Sequence, residues 1–518
     1  MITMEVSALT WTLMCLVLLL LLVYVFYMSS THMIFRKLGI PGPTPWPVFG
    51  NFVAEARAGI MNYQTDLYFK YKHEKVYGFY RGKLAILTIR DLDMIRDICV
   101  KNFNDFVNRT TFSNDEPFKN ALTEAKDEHW KNIRTTISPT FNTVRLKRMY
   151  RHIESNTRQL LDHLKNKQER NEPVELKEVL SHFTMDVIAS TGFGVQTNSL
   201  GDPNNQFIKE SERIMASIGR IFLISTFLDF LKPVLTFFGI ASMPRVSLDF
   251  FSRFVDVAIQ ERKLESSGVG SRRHDFLQLM MEAEEDKPGE ENDNMTEEEA
   301  RVLNTHRKSK PGLSLGDMQG QAIIFTLAGY ETVSSVLTFT LFLLTMNPEC
   351  LQKAQAEVDE VLGRKFPDYD DIQSLKYLDM CLNEAIRMFP PGFFLDRKCN
   401  ADVEIQGVRI PKGVTVLFPM GAIHRDPDLW PEPDKFVPER FTPENKSKRH
   451  PYAHLPFGQG PRNCIGMRLA LLETKVAVAA ILQKFSLVRC EQSKYPVVLE
   501  QFRLAPKDGA WVKLEART

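Results

Sequence analysis

A mainly helical body with a smaller β region, joined to an N-terminal membrane-spanning helix, is the fold class that three features of this 518-residue sequence predict. Trp11–Met28 is almost continuously apolar, inside a stretch from Val6 to Thr31 that has no charged residue. Met318–Met346 is a second long apolar run, with helical periodicity in segments on either side of it. Short alternating runs bounded by turn residues supply the β region: Val76–Arg81 and Leu84–Ile89 around Gly82-Lys83, then Val403–Ile410 and Val414–Phe418 around Pro411-Lys412-Gly413.

The N-terminal run is long enough to cross a bilayer, since about twenty helical residues span roughly 30 Å. A cleaved leader would begin with positive charge and have a shorter apolar centre; this start carries Glu5, and Arg36 and Lys37 follow the run. The positive-inside rule therefore predicts a retained anchor, residues 1–31, with the body in the cytosol and the glycosylation sequons at Asn108, Asn294 and Asn445 bare. Residues 32–49 form a linker stiffened by four prolines between Pro41 and Pro47, and 50–518 form one domain. The composition, 44% hydrophobic and 25% charged, is that of a globular protein, and a net charge of +1 gives no reason to expect a nucleic-acid partner. Seven scattered cysteines without a CxxC pair argue against a disulfide framework or structural zinc and for a reducing compartment.

Within the domain, Asp66–Asn104 reads helix, strand pair, helix. Phe103–Phe118 is irregular, and its phenylalanines 103, 106, 112 and 118 read one by one as core. Asp127–Thr136 sets Trp130 and Arg134 one turn apart on one helical face. Arg145, Lys147, Arg148 and Arg151 make a basic cluster that Lys446, Lys448, Arg449 and His450 repeat later, by default a solvated face. Helical periodicity returns at Phe183–Thr191 and Asn205–Ile218. Ile221–Phe238 is nearly apolar but broken by Asp229, Lys232 and Pro233; it is no second span, and reads equally as core or as a helix pair dipping into the bilayer surface. Glu282–Gly312, acidic and then basic with two Pro/Gly breaks, reads as a mobile surface connection.

A helix as apolar all round as Met318–Met346 should be buried, which makes Glu331 conspicuous within Ala328-Gly329-Tyr330-Glu331-Thr332. Gly329 weakens the helix by about 1 kcal/mol relative to Ala, and a Thr332 hydroxyl bonded back to the Ala328 carbonyl loosens it further, so a local widening is expected. Phe325, one turn before Gly329, shares the face of Ala328 and Thr332. Leu378–Phe389 carries Glu384 and Arg387 three residues apart among apolar neighbours, and Pro438-Glu439-Arg440-Phe441 follows later. Tyr495–Leu499 and Trp511–Leu514 read as paired strands around Pro506–Gly509.

The chemistry centres on Pro456–Ala470, PFGQGPRNCIGMRLA. Cys464 lies among Gly458, Gly460 and Gly466 just before an apolar helical run. Glycines let amide N–H groups approach the sulfur, and the positive end of the next helix favours the thiolate, which is the form that binds a metal. Arg462 is spaced to pair with an anionic cofactor group, and Phe457 to shield the sulfur from water. Phe457, Gly460, Arg462, Cys464 and Gly466 fill the pattern F-x-x-G-x-R-x-C-x-G, and this loop resembles the haem-binding loop of cytochrome P450 enzymes, a resemblance that runs from about Pro41 to the end.

The resemblance implies the cytochrome P450 fold, in which a long central helix lies over haem b and a cysteine loop beneath, with Cys464 as the axial ligand. It places Trp130, Arg134 and Arg397 on the haem propionates and His424 at the polar haem edge or simply packed. Glu331 and Thr332 are assigned to proton passage, and Glu384, Arg387 and Arg440 to a buried structural network. Phe106, Phe112, Phe118, Phe325, Ala328, Phe393 and Phe394 are implied to line the substrate cavity. The implied activity is a monooxygenase inserting one oxygen atom of dioxygen into a lipophilic xenobiotic, steroid or fatty acid. A thiolate ligand suits that chemistry because its electron density favours O–O cleavage.

The sequence has no strand–turn–helix nucleotide fingerprint, so NADPH electrons are expected through NADPH–cytochrome P450 reductase, with cytochrome b5 as a further donor. The basic clusters would suit such acidic partners if both lie beside the loop. Ile137–Phe141 and Ile423–Pro427 look most like the microsomal branch with vertebrate family three and insect families six and nine, implying the endoplasmic reticulum membrane. Val333 departs from the second threonine usual in the vertebrate relatives. An isomerase of a lipid peroxide, and a non-catalytic membrane protein binding haem and lipophiles, are the other readings; Thr332 favours the monooxygenase.

Overall fold

The computed structural model describes residues 2–202, 204–228, 234, 241–266, 275–284, 312–500 and 503–517. The greater part of the Glu282–Gly312 connection, Asn294 within it, and most of the apolar stretch beyond Leu228 lie outside the described residues.

Helix α1 (Ile2–Ser29) contains Ala8–Ser29, long and apolar enough to cross a membrane, and its apolar side chains from Leu9 to Phe26 stay largely exposed. The helix does not end in a free tether. Just beyond it, the Thr31 hydroxyl donates to the Lys83 carbonyl at 2.6 Å and His32 Nε2 lies 2.9 Å from the Gly82 carbonyl oxygen. The Lys83 ammonium sits 3.5 Å from the centroid of the Tyr27 ring. Gly82 and Lys83 form the turn between β1 (Val76–Arg81) and β2 (Leu84–Ile89), the strand pair expected from the alternation. The proline-rich linker runs on along β1, where the Gly78 N–H donates to the Pro41 carbonyl at 2.8 Å.

The middle of the domain is a stack of helices: α2 (Asp127–Ile137), α3 (Thr143–Glu169), α4 (Leu176–Phe193), α5 (Leu315–Met346), α6 (Lys376–Met388) and α7 (Met467–Lys484). One continuous apolar core joins all six. Helix α5 is the longest of them at 32 residues, opened by a reciprocal Ser314–Asp317 capping box and buried along most of its length. It passes the same length and composition test as α1, but its burial marks it as a core helix. It remains α-helical through Ala328–Thr332, so the expected local widening is not found. Close packing accounts for Gly329 instead: a side chain there would put its first carbon 2.2 Å from Ile188 Cδ1 on α4.

Beside the helices lies a four-stranded sheet of order β1-β2-β7-β4, with β4 at Leu395–Lys398 and β7 at Thr415–Phe418; β2 and β7 are parallel and the other pairs antiparallel. Two further groups are β3 (Val174–Glu175) with β9 (Trp511–Ala516) and β8 (Phe485–Val488), and the hairpin of β5 (Val403–Ile405) with β6 (Val408–Ile410). Gln406 and Gly407 turn that hairpin at φ 49° and 80°, which splits the single run expected at Val403–Ile410. The expected pairing of Tyr495–Leu499 with Trp511–Leu514 is also corrected. Leu499 makes only an isolated bridge to Pro506, and β9 pairs with β8. β8 starts at Phe485, the residue directly after α7, without Gly or Pro between them, so its alternation is hidden in the tail of a helical pattern.

Candidate active site

Helix α5 and the Cys464 loop enclose a cavity of about 360 Å³, and both Thr332 and Cys464 open into it. The sulfur is accessible from this cavity while shut away from bulk solvent. The loop is held from several directions. Gly460, at φ 76°, lies so close to the chain before α2 that a side chain would meet the Cys99 carbonyl oxygen at 2.1 Å. The Cys464 N–H donates to the Phe457 carbonyl at 2.8 Å, and Arg134 of α2 donates to the Asn463 carbonyl at 3.0 Å and to its side-chain oxygen at 2.5 Å. Helix α7 begins directly after Gly466. Burial nevertheless pushes the Cys464 thiol up; the Gly466 N–H, Arg134 and Arg109 pull the other way without prevailing.

Beside the loop, three arginines converge, Arg109, Arg397 and Arg462, with the carboxylates of Asp396 and Glu124 near them. Arg397 on β4 is wholly buried; its Nη1 donates to the Asp396 carbonyl at 2.7 Å, while Nε and Nη2 have no partner among the described residues. Burial, then repulsion from Arg109, pull its guanidinium down to about 10. Arg462 donates to the carbonyls of Val107 at 2.6 Å and Ala125 at 2.9 Å and lies 4.7 Å from the centroid of Trp130, which also borders the cavity. Burial, then Arg109 and Arg397, push it down to about 8. A buried set of cations with unspent N–H groups, beside a cavity floored by a thiol, fits an anionic group that carries a metal. Haem b, with two propionates and an iron, has that form.

Of the residues expected here from sequence, Trp130, Arg134, Phe457, Arg462, Cys464, Gly466, Thr332, Ala328 and Phe325 all border the cavity. The Thr332 hydroxyl donates to the Ala328 carbonyl at 2.6 Å, as expected. Glu331 points elsewhere: its Oε2 lies 3.5 Å from Lys177 Nζ and 3.2 Å from Arg503 Nη2, behind the helix. Phe325 stacks on Phe276 at 4.5 Å. Phe106 packs with the first sheet, Phe112 and Phe118 pack with Ile323 and Leu327, Phe393 presses on Gly421, and Phe394 sits near Tyr63; none of these five borders the cavity. Ile188, Phe276 and Ile324 take their place. His424 is buried away from the cavity beside Trp430 and His454.

Behind the loop, the Glu384 carboxylate accepts from Arg387 Nε at 2.7 Å and Nη2 at 2.9 Å, from Arg440 Nε at 3.2 Å and from the Val437 N–H at 3.0 Å. Glu384 and Arg387 are fully buried. Sequence reasoning missed Arg109, whose only signal was a place inside the Asn108-Arg109-Thr110 sequon. Arg109 donates to the Arg462 carbonyl at 3.1 Å and borders the cavity. Asn108 is itself buried and bonded to Asp127 at 2.7 Å, so it cannot report on topology.

The sequence pattern of the family described as Cytochrome P450 matches residues 40–512. Cytochrome P450 3A1 of Rattus norvegicus is 40% identical over 496 residues, 95% of this chain and 93% of that protein. Cytochrome P450 3A5 of Homo sapiens is 38% identical over 513 residues, covering 98% and 97%. Cytochrome P450 3A40 of Oryzias latipes is 38% identical over 520 residues, covering 99% and 98%.

Proposed function

Since this chain belongs to the cytochrome P450 family and is a haem-thiolate monooxygenase using haem b, we propose that it oxygenates lipophilic xenobiotics or steroids with NADPH electrons delivered by a partner reductase. The observation that carries the reading is the shared cavity of Cys464 and Thr332. When bound, haem b supplies the redox chemistry of oxygen activation, and a thiolate ligand strengthens it. Arg109, Arg397 and Arg462 would hold its carboxylates, with Trp130 beneath Arg462. Arg134 fixes the loop through Asn463, and Phe457 keeps water from the sulfur. The apolar wall of Ile188, Phe276 and Phe325 selects lipophilic substrates by excluding water.

Thr332 serves the proton step. Its hydroxyl hydrogen is committed to the Ala328 carbonyl, which leaves the oxygen lone pairs free to accept a hydrogen bond in the cavity. Glu331 can pass a proton toward Thr332 only after leaving Lys177 and Arg503, so those two cations set how often it is available. Thr332→Ala is expected to keep haem and consume NADPH while product per NADPH falls by roughly tenfold to a hundredfold, with peroxide making up the difference. An unchanged product yield, from product and peroxide assays together, would contradict the role.

The exposed apolar length of α1 supports a single-span anchor in the endoplasmic reticulum, with the domain in the cytosol near its reductase and cytochrome b5. Because Asn108 is buried, Asn445 on its exposed turn is the described sequon able to report orientation. Asn445 should be free of glycan in the native protein; mass spectrometry finding a glycan there would reverse the topology.

A further inference from the structure

We propose that His424 and His454 are positioning residues for the cysteine ligand, a neutral imidazole pair that holds the start of the Cys464 loop and releases it when either ring takes up a proton. The Leu455 N–H donates to His424 Nε2 at 3.0 Å. A ring nitrogen that accepts from an amide carries no hydrogen, so this bond fixes His424 as neutral with its proton on Nδ1. Leu455 immediately precedes Pro456, which has no N–H; the Leu455 carbonyl accepts from the Gly458 N–H at 3.1 Å, and the Phe457 carbonyl, two residues on, accepts from Cys464 itself. A shift of Leu455–Phe457 therefore moves the backbone that carries the sulfur.

The surroundings forbid charge on the pair. The rings lie 5.2 Å apart, His424 fully buried and His454 partly so, with His454 6.0 Å from Trp430 and 4.7 Å from Phe441. His424 Nδ1, His454 Nε2 and Trp430 Nε1 have no partner among the described residues. Helix α6 presents Arg387, whose Nη1 is bonded to the His424 carbonyl at 2.7 Å, and Glu384, already engaged by Arg387 and Arg440. The segment after His424 adds Arg425, with Asp434 facing that arginine and Asp426 bonded to Tyr68. From the other side come Lys446, 5.8 Å from the Phe441 centroid, and Arg449, 3.7 Å from the Trp430 centroid. Cations thus surround the rings, and the acids present are already committed.

Burial first, and then Arg387, hold the His424 imidazole down to about 3; burial first, and then His424 and Arg449, hold His454 well below its usual range. A released imidazole binds a proton below about pH 6.5. The closed latch is therefore complete above that pH and weakens as pH falls from about 6.5 toward 3, by about tenfold per pH unit for one histidine and a hundredfold for two.

The test uses the haem-loaded full chain between about pH 7.5 and about pH 5. Two signals are followed, hydrogen-exchange protection of the Leu455 amide and the red-shifted carbon monoxide band of the reduced protein. The proposal rests on Cys464 being the ligand, which the band tests at neutral pH; the latch itself is read from the amide. Protection at Leu455 should fall by about a hundredfold per pH unit below about pH 6.5 while the amides of α5 keep theirs, and the band should fade in parallel. His454→Phe, which keeps an aromatic ring against Trp430 and Phe441, should reduce the steepness to about tenfold, as should His424→Gln, whose carbonyl can accept from Leu455. Protection independent of pH, simultaneous loss at Leu455 and α5, or unchanged steepness in both variants would overturn the proposal. The exchange measurement on the unaltered chain decides by itself if a variant does not fold.

Discussion

Cys464→Ala is expected to abolish the red-shifted carbon monoxide band of the reduced, haem-loaded protein, and turnover with it, while the fold survives. The sulfur opens into the cavity and packs against nothing that alanine would leave strained. The bond from its own N–H to Phe457 belongs to the backbone and is untouched, as is the contact that seats Gly460 on the Cys99 carbonyl. The stability cost should stay under about 1 kcal/mol, the range of substitutions that break no buried contact. What disappears is the sulfur that opens into the cavity, and without a thiolate any retained haem would take a weaker ligand. A band of unchanged position in the variant would sink the ligand assignment. Urea unfolding of the same sample separates ligand loss from misfolding.

The largest effect on folding should come from Glu384→Ala, at about 3–5 kcal/mol. This carboxylate accepts four hydrogen bonds, three from guanidinium groups and one from the Val437 backbone. Deleting it strands Arg387, a fully buried cation whose guanidinium carbon lies 5.3 Å from the Trp430 centroid, and leaves the Val437 N–H unpaired. A buried charge left alone costs far more than the pair contributed while intact. The exposed pair Lys448–Glu444 makes the control, since solvent screens both groups and its loss should not register. Denaturant unfolding that finds Glu384→Ala within about 1 kcal/mol of the parent would show that the network is not a wall of the site.

How much of this was legible in the sequence follows from how far each signal had to reach. The β1–β2 hairpin could be read to the residue because alternation and the Gly82-Lys83 turn lie within the one short stretch Val76–Ile89. The Cys464 loop was equally local, five fixed residues in ten. Glu331 and Thr332 show where local reading stops. Successive residues on an α-helix point about 100° apart, so a residue next to one that faces the cavity can be turned toward a different neighbour. Thr332 shares its face with Ala328, and Glu331 turns to Lys177 and Arg503, which lie 154 positions before and 172 after it. Lys177 was invisible for that reason, as was Arg109, whose meaning depends on Arg397 and Arg462 arriving from far down the chain. Phe325 and Phe457 border the cavity while Phe106, Phe112 and Phe118 pack in other clusters, since a ring suits a cavity wall and a packed core alike, and only the neighbouring elements decide which it borders.

The fastening of α1 to the β1–β2 turn has a mechanical consequence. Thr31, His32 and Tyr27 grip Gly82 and Lys83, and the four-stranded sheet begins at that turn, so helix and sheet act as a mast stepped into a hull. A spanning helix leans when its apolar length exceeds the bilayer thickness. The contacts at the turn tie the direction of α1 to that of the sheet, so a lean of the helix would be felt at β1 and β2.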